Sequence, residues 1–345
     1  MSLPSVSVIF LSYKQEAYVV QALRSVLDQD LPDYEVIIGD DASPDRTREL
    51  IETEVAAYRG PARIILLPPQ PRLGLIGNIT RCVAAATGDI LVAAAGDDRS
   101  HPTRLRRAAE FFRDNHRCQA YFSNARIIDA NGDVVRPRWY RHRGVRFRQF
   151  DPRCRHLHQG VPFCGAVGSY RGEVFRQFPA IHEGAVGEDG PATLRALLLG
   201  AVAVDEEVQV DWRWHGANMS HGSKPTLADW RTKLRRASAW SMMQKSYRRG
   251  YLADLAHAGQ AGLAAPETIR RLRQLVEVRH AQVTVKIHCT HPSSRWSSVG
   301  ESVRRYWALC PANPLSKGLF LAKALAKKLL PGPVRAFVCF KFSKF

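Results

Sequence analysis

Apolar positions in the first hundred residues fall into two alternating kinds of pattern. Ser5–Leu11 (SVSVIFL), Tyr34–Ile38 (YEVII), Arg63–Leu67 (RIILL) and Asp89–Ala95 (DILVAAA) are short apolar runs that predict buried strands. Glu16–Leu27 carries Val19, Val20, Leu23, Val26 and Leu27 at helical spacing. Ser43-Pro44-Asp45 has a capping Ser followed by Pro in the first turn, which predicts a helix running to about Tyr58. Asn78–Ala86 predicts a third helix, closed by Thr87-Gly88. Later, Glu188–Leu199 predicts another helix, and Ala201–Val210 contains a strand. Strands alternating with helices at this spacing imply a parallel α/β sheet. Ligands of such sheets bind beyond the carboxyl ends of the strands. The pairs Asp40-Asp41 and Asp97-Asp98 both fall at that edge.

Composition adds a second region. The chain has 345 residues, 45% hydrophobic and 24% charged, which excludes wholesale disorder and allows about two domains. Its net charge is +18. Residues 1–220 hold 27 Lys and Arg against 27 Asp and Glu, whereas 221–345 hold 23 against 5, so the whole excess lies in the last third. That asymmetry points to an anionic partner for a basic, mainly helical C-terminal region. We expect three segments: 1–221, 222–314 and 315–345. The start reads as no signal peptide, and no apolar run approaches the ~20 residues of a spanning helix. The seven Cys are scattered and form no CxxC pair, which fits free thiols in a reducing compartment. Cys154, His156, His158 and Cys164 do not have the spacing of a structural zinc site. No GxGxxG follows the first strand, which argues against a dinucleotide-dependent dehydrogenase.

Several clusters have both a chemical and a bland reading. Asp97 and Asp98 suit an oxygen-seeking divalent cation beside a diphosphate, or form a solvated turn. Glu188-Asp189 supplies a general base, or answers the helix dipole. Arg213 and His215, two apart on an extended segment, both meet a phosphate, or are a surface pair beside Trp212 and Trp214. Arg136–His158, dense in Arg, His and aromatics, suits an acidic acceptor, or is a solvated basic loop.

The motifs taken together resemble family 2 glycosyltransferases of the GT-A fold. SVSVIFLSYKQEAYVVQALRSVLDQDLPDYEVIIGDDASPDRT is similar to that family's opening, GDILVAAAGDD to its strand and metal motif, GEDGPATLRALLLG to its acidic catalytic segment, and DWRWHGANMS to its late Arg-x-His-x-x-Asn-x-Ser element. The likeness covers about residues 5–220. It implies a Rossmann-like, mostly parallel sheet flanked by helices. It also implies an inverting sugar transfer of the hexosyltransferase type from a nucleoside-diphosphate sugar, with UDP the family's habit and Mn or Mg as cofactor. By position, Tyr13 and Asp41 would contact the base, with Asp40 on the same turn. Asp97 would lie near sugar and ribose, Asp98 would bind the metal, and Asp189 would be the catalytic base. Arg213 and His215 would reach the diphosphate. Leu11 stands where the family often has a small polar residue. Arg99, after the metal motif, either neutralises phosphate or is simply exposed.

The tail has its own pattern. Leu315–Leu330 interleaves apolar residues with Lys317, Lys323, Lys327 and Lys328, and Val334–Phe345 is aromatic and basic. This fits attachment to an anionic membrane surface, or a core-packing helix with snorkelling lysines. The expected protein is a cytoplasmic enzyme, peripheral on the cytoplasmic face, that glycosylates a glycan or lipid-linked acceptor in surface polysaccharide synthesis. Two other classes fit less of the chain. One is a basic nucleic-acid-binding protein, although no RNA-binding fingerprint appears, so nucleic acid is not the expected partner. The other is a nucleotide-sugar-binding protein without turnover.

Overall fold

The computed structural model describes residues 2–140, 147–150, 164–185, 187–215, 218, 247–290, 295–310 and 314–329. The chain divides into two compact units, one of residues 1–153 with 162–222 and one of residues 154–161 with 223–345.

The first unit is built on β1 (Val6–Ser12), which lies between β2 (Glu35–Asp40) and β4 (Ile90–Ala95) and runs parallel to both. β3 (Arg63–Leu66) extends the parallel block beyond β2. Helices α1 (Val19–Leu27), α2 (Thr47–Ala57) and α3 (Gly74–Ala85) make the crossovers. Successive strand residues point to opposite faces, and both faces are covered. Val8, Phe10, Val36 and Ile38 pack with Leu23, Val26 and Ile51 on one side. Ile9, Ile37 and Leu91 pack with Cys82 of α3 on the other.

After β4 the sheet becomes mixed. β5 (Arg99–Ser100), α4 (Arg104–Asp114), β6 (Cys118–Ile128), β7 (Val134–Arg136), β8 (Phe147–Phe150), β9 (Gly168–Arg171), α5 (Glu173–Arg176), α6 (Asp189–Leu199) and β10 (Ala201–Arg213) come next in order. The sheet runs β3-β2-β1-β4-β9-β6-β10-β5, with β7 against β6 and β8 against β10. β9 is antiparallel to both neighbours, while β6 and β10 are parallel to each other.

Three expectations need correction. Ser43 does not cap the second helix, which begins at Thr47. Its hydroxyl instead donates to Asp40 Oδ1 at 2.5 Å and accepts the Lys14 N–H at 3.0 Å, tying the turn to the end of β1. The first helix begins at Val19 rather than Glu16, because Glu16 accepts the Arg46 N–H in the loop crossing. Finally, β6 is a strand that the apolar pattern did not announce.

In the second unit the helical residues 247–260 (α7) precede α8 (Pro266–Thr290), α9 (Trp296–Leu309) and α10 (Pro314–Leu329). Its core joins Val278, Ala281, Val285 and Cys289 to Val299, Tyr306, Cys310, Leu321 and Ala324. Phe320 lies against Tyr306, with ring centroids 4.7 Å apart. So α10 turns these apolar residues inward. Among the described residues no helix is long and apolar enough to cross a membrane. Most of Arg136–His158, the expected boundary near 222 and the tail beyond 329 lie outside the described residues.

Candidate active site

The register of β1 gathers the acidic pairs. Ser12 lies opposite Asp40 on β2, and Leu11 lies opposite Ala95 on β4. Tyr13, Asp40-Asp41 and Asp97-Asp98 therefore leave the sheet at one edge, on three adjacent strands.

At the β1–β2 corner the two aspartates have different work. Asp40 is buried and accepts from Ser12 Oγ, Ser43 Oγ and the Ser43 N–H. Those bonds occupy both oxygens and hold the turn. Asp41 is equally buried. Its N–H donates to the Ser12 carbonyl at 3.0 Å, and its Oδ1 accepts the Leu73 N–H at 2.7 Å. Its Oδ2 lies 3.6 Å from Arg72 Nε. The Arg72 guanidinium also stands over the Tyr13 ring, 4.1 Å from its centroid. Arg72 thus joins Tyr13 to Asp41. No sequence signal marked it, since it lies in a Pro-rich loop 31 residues after Asp41. Lys14 (φ 54°) and Ala42 (φ 56°) both hold left-handed backbone without being glycine. Such strain is concentrated where a loop must keep a fixed shape.

The turn after β4 is bound from the end of β10. Asp97 Oδ2 is hydrogen-bonded to His215 Nε2 at 3.0 Å, with Asn218 Nδ2 at 3.4 Å. Asp98 Oδ1 accepts the Arg213 N–H at 2.8 Å. Arg213 is 2% exposed, and its guanidinium donates to the carbonyls of Asp97, Asp129 and Ala130 and to Gln21 Oε1. Tyr18 stands between Arg213, 4.8 Å from its ring, and His215, 4.9 Å ring to ring. Arg213 is therefore committed to bracing the turn, which corrects its expected place on a diphosphate. Asn218 belonged to the Arg-x-His-x-x-Asn-x-Ser element but was not singled out as a site residue. Arg99 pairs with Asp211 at 2.9 Å, together with Arg126 and His101.

Burial and the charge of Asp97 push the Asp98 carboxyl well above the usual range, against the Arg213 N–H, Arg104 and the Arg213 charge. A buried carboxylate that resists ionisation alone, beside a second carboxylate, is a hard-oxygen donor that gains from a divalent cation. Hydrogen bonds from described residues reach Asp98 only at Oδ1. Among the described residues no group of three or more His, Cys, Asp or Glu forms a metal cluster. The donor set fits a cation shared with a ligand rather than one caged by protein.

The third element is the start of α6. Asp189 Oδ1 accepts the Gly190 N–H at 2.7 Å. Burial raises its carboxyl above the usual range, opposed by backbone N–H groups including that of Gly165. Burial, then the charge of Asp189, pushes Glu188 up to about 7. Gly165 has no room for a side chain: a Cβ there would collide with Glu188 Oε1. The buried Cys164 thiol is pushed well up by burial, then by Asp189, Asp98 and Glu188. That one thiol lies within electrostatic reach of the β4 turn and the α6 start, so the structure brings Asp98 and Asp189 into one neighbourhood. Arg104, also buried, joins the same region through Ala93 O, Ala166 O and Ser100 Oγ.

Residues 7–175 match the family model described as glycosyl transferase family 2. Those residues, just under half of this chain, are similar to glycosyltransferase family 2. The match ends before α6 and β10, so Asp189 and the Arg213 brace lie outside it. EpsE of Bacillus subtilis, provisionally described as a glycosyltransferase, is 29% identical over 173 residues, half of this chain and 58% of EpsE. TuaG of the same organism, provisionally described as a teichuronic acid biosynthesis glycosyltransferase, is 28% identical over 129 residues, 37% of this chain and 50% of TuaG. The chain thus spans little more than half the length of these relatives. Two solved structures share the GT-A fold at 16% identity. Staphylococcus aureus TarS 1–349 in complex with UDP-GlcNAc has a TM-score of 0.51 over 88% of this chain and 90% of its own. The Pyrobaculum calidifontis mannosyltransferase in complex with GDP-Man and Mn2+ has 0.52 over 100% and 89%. The chain keeps the GT-A-like sheet, with its acidic turns at the carboxyl ends of the strands.

Proposed function

We propose that the chain transfers a sugar, with inversion, from a nucleoside-diphosphate sugar to a hydroxyl of a glycan or lipid-linked acceptor in surface polysaccharide synthesis. One observation carries this reading: the Tyr13–Asp41 corner, the Asp97–Asp98 turn and the Asp189 carboxyl converge on one sheet edge. Tyr13 offers a ring face and Asp41 a carboxylate oxygen to the base. One oxygen of Asp41 is committed to the Leu73 N–H. That favours a base with a single ring N–H, as in uracil, over guanine with its paired donors. The TarS complex holds UDP-GlcNAc and the Pyrobaculum complex GDP-Man, so both bases occur in the fold.

Asp97, oriented by His215 and Asn218, lies toward the sugar and ribose. Asp98 would hold the divalent cation, Mn or Mg, with diphosphate and water oxygens completing its shell. When bound, that cation neutralises charge on the departing diphosphate. Asp189 takes the acceptor hydroxyl proton, and the oxygen attacks the anomeric carbon opposite the leaving group. A raised carboxyl is a better base than an ordinary one, because its proton affinity is nearer that of the working pH. Asp40 and Arg213 act through others, by holding the two turns. The enzyme works at the cytoplasmic face of a membrane, with the basic tail 315–345 as one attachment.

The test is thermal stability against a panel of nucleoside diphosphates, with manganese and then with EDTA. A ligand at ~100 times its dissociation constant adds about 2.7 kcal/mol, enough to raise the midpoint by several degrees. A shift with uridine diphosphate that EDTA abolishes is expected. No shift with any nucleotide would overturn the donor site.

A further inference from the structure

The α10 helix spends Leu321 and Ala324 on its own unit's core, so its described apolar residues are not an outward face. The outward apolar residues are on α9. Among the described residues, five large hydrophobics are exposed, and two of them are Trp296 (56%) and Trp307 (45%) of this helix. They are 11 residues apart, about three turns, so they lie on one side of the helix roughly 16 Å apart. Val299, Ser302 and Tyr306 form the buried side, about a quarter-turn round the helix from the two tryptophans.

The charge around this face is mostly basic. Arg295 and Arg304 are exposed beside it. Arg305, half exposed, pairs with Glu277. Lys317 donates to the Trp307 carbonyl at 3.0 Å and stands 5.4 Å from its ring centroid. Glu301 is the helix's one acid. Residues 221–345 as a whole carry 23 basic against 5 acidic residues. Trp places an apolar body and a polar N–H at the level of lipid headgroups, and flanking Arg and Lys meet lipid phosphates.

We propose that the Trp296–Trp307 side of α9 is a membrane-interface surface that lies on anionic lipid, with the two indoles entering the headgroup layer. Apart from Lys317 this surface does not draw on the tail 315–345, and it refines the peripheral-membrane part of the proposed function without depending on the sugar-transfer part. It orients the second unit, because two anchors on a rigid helix fix a direction that a single basic segment does not.

The test uses the full-length protein and sedimentation with vesicles of phosphatidylcholine alone or with phosphatidylglycerol. Trp296→Ser/Trp307→Ser should lower partitioning onto the anionic vesicles by roughly 10-fold or more, with a thermal midpoint that still leaves the protein folded at the assay temperature. Trp296→Phe/Trp307→Phe should retain most of the binding. A full-length variant with Lys323, Lys327 and Lys328 changed to Gln tests the tail separately. If only that variant loses binding, the tail reading stands and the α9 surface is overturned. Unchanged partitioning of the Ser variant, or equal binding of the native protein to neutral vesicles, also overturns it.

Discussion

At the residue scale the proposed site divides into groups that would touch substrate and groups that hold them. Asp189→Asn keeps the shape of the α6 start but cannot take a proton. Transfer should fall roughly 100- to 10,000-fold while the uridine diphosphate shift remains. Full turnover would remove Asp189 from the role. The base must be ionised, and burial raises its carboxyl. The rate should therefore fall on acidification at a pH above the ~4 of an ordinary Asp, and hold on the alkaline side of that limb. Because Glu188 is raised to about 7 beside it, the limb belongs to the pair and should be broader than one titration. Arg213 was legible in the sequence as a cation near phosphate, yet it is a brace. Its spacing from His215 gave the right segment, but a sequence does not show where a guanidinium's donors go. Arg213→Ala leaves three carbonyls and Gln21 without their donor. It should cost about 3 kcal/mol, a midpoint fall on the order of 10 °C by thermal unfolding.

At the element scale, the strands that alternate cleanly were legible, and the rest were not. β1 to β4 declared themselves because each is a short apolar run between helical stretches. β6 did not, since Gln119, Ser123, Asn124 and Arg126 break the run (CQAYFSNARII) even though the strand is almost wholly buried. Two of its polar side chains are answered by partners distant in the chain. Asn124 Nδ2 donates to the Tyr140 carbonyl at 2.9 Å, and Arg126 forms a fork with Asp211 on β10. Burial opposes charge on Asp211, but hydrogen bonds from His101 and Arg126 outweigh it and hold the carboxyl well below its usual range. A depressed carboxyl contributes stability that is present above its unfolded value and lost on acidification. Asp211→Asn should thus be less stable at neutral pH and lose less additional stability between about pH 5 and pH 3 in denaturant titrations. The entry to β4 makes a second test. A Cβ on Gly88 would stand 2.7 Å from the Ser7 nitrogen, a backbone atom that cannot swing aside. Gly88→Ala should cost about 1–3 kcal/mol, seen as a lower denaturant midpoint.

At the scale of the whole molecule, charge and chemistry are carried by different parts. Residues 1–220 balance their charges, and the +18 belongs to residues 221–345. Raising salt from about 50 mM to about 500 mM shortens the Debye length from ~14 to ~4 Å. It should strip the protein from anionic vesicles while leaving the uridine diphosphate shift largely in place. Loss of both together would place the nucleotide among the ligands of the basic region. The Arg213 brace sets a condition on how the molecule comes into being. Its guanidinium reaches Gln21, 192 positions earlier in the chain, and the backbone N–H beside it holds Asp98. During synthesis, the ribosome has released β1 to β4 long before it makes β10. The early strands can pair and bury their valines and isoleucines, but the Asp97–Asp98 turn has no clamp yet. A nascent chain halted near residue 175 would therefore carry the whole family-model match and, on the proposed reading, remain blind to nucleotide. The proposed donor site would form only late in translation, when Arg213 at the end of β10 reaches back to α1.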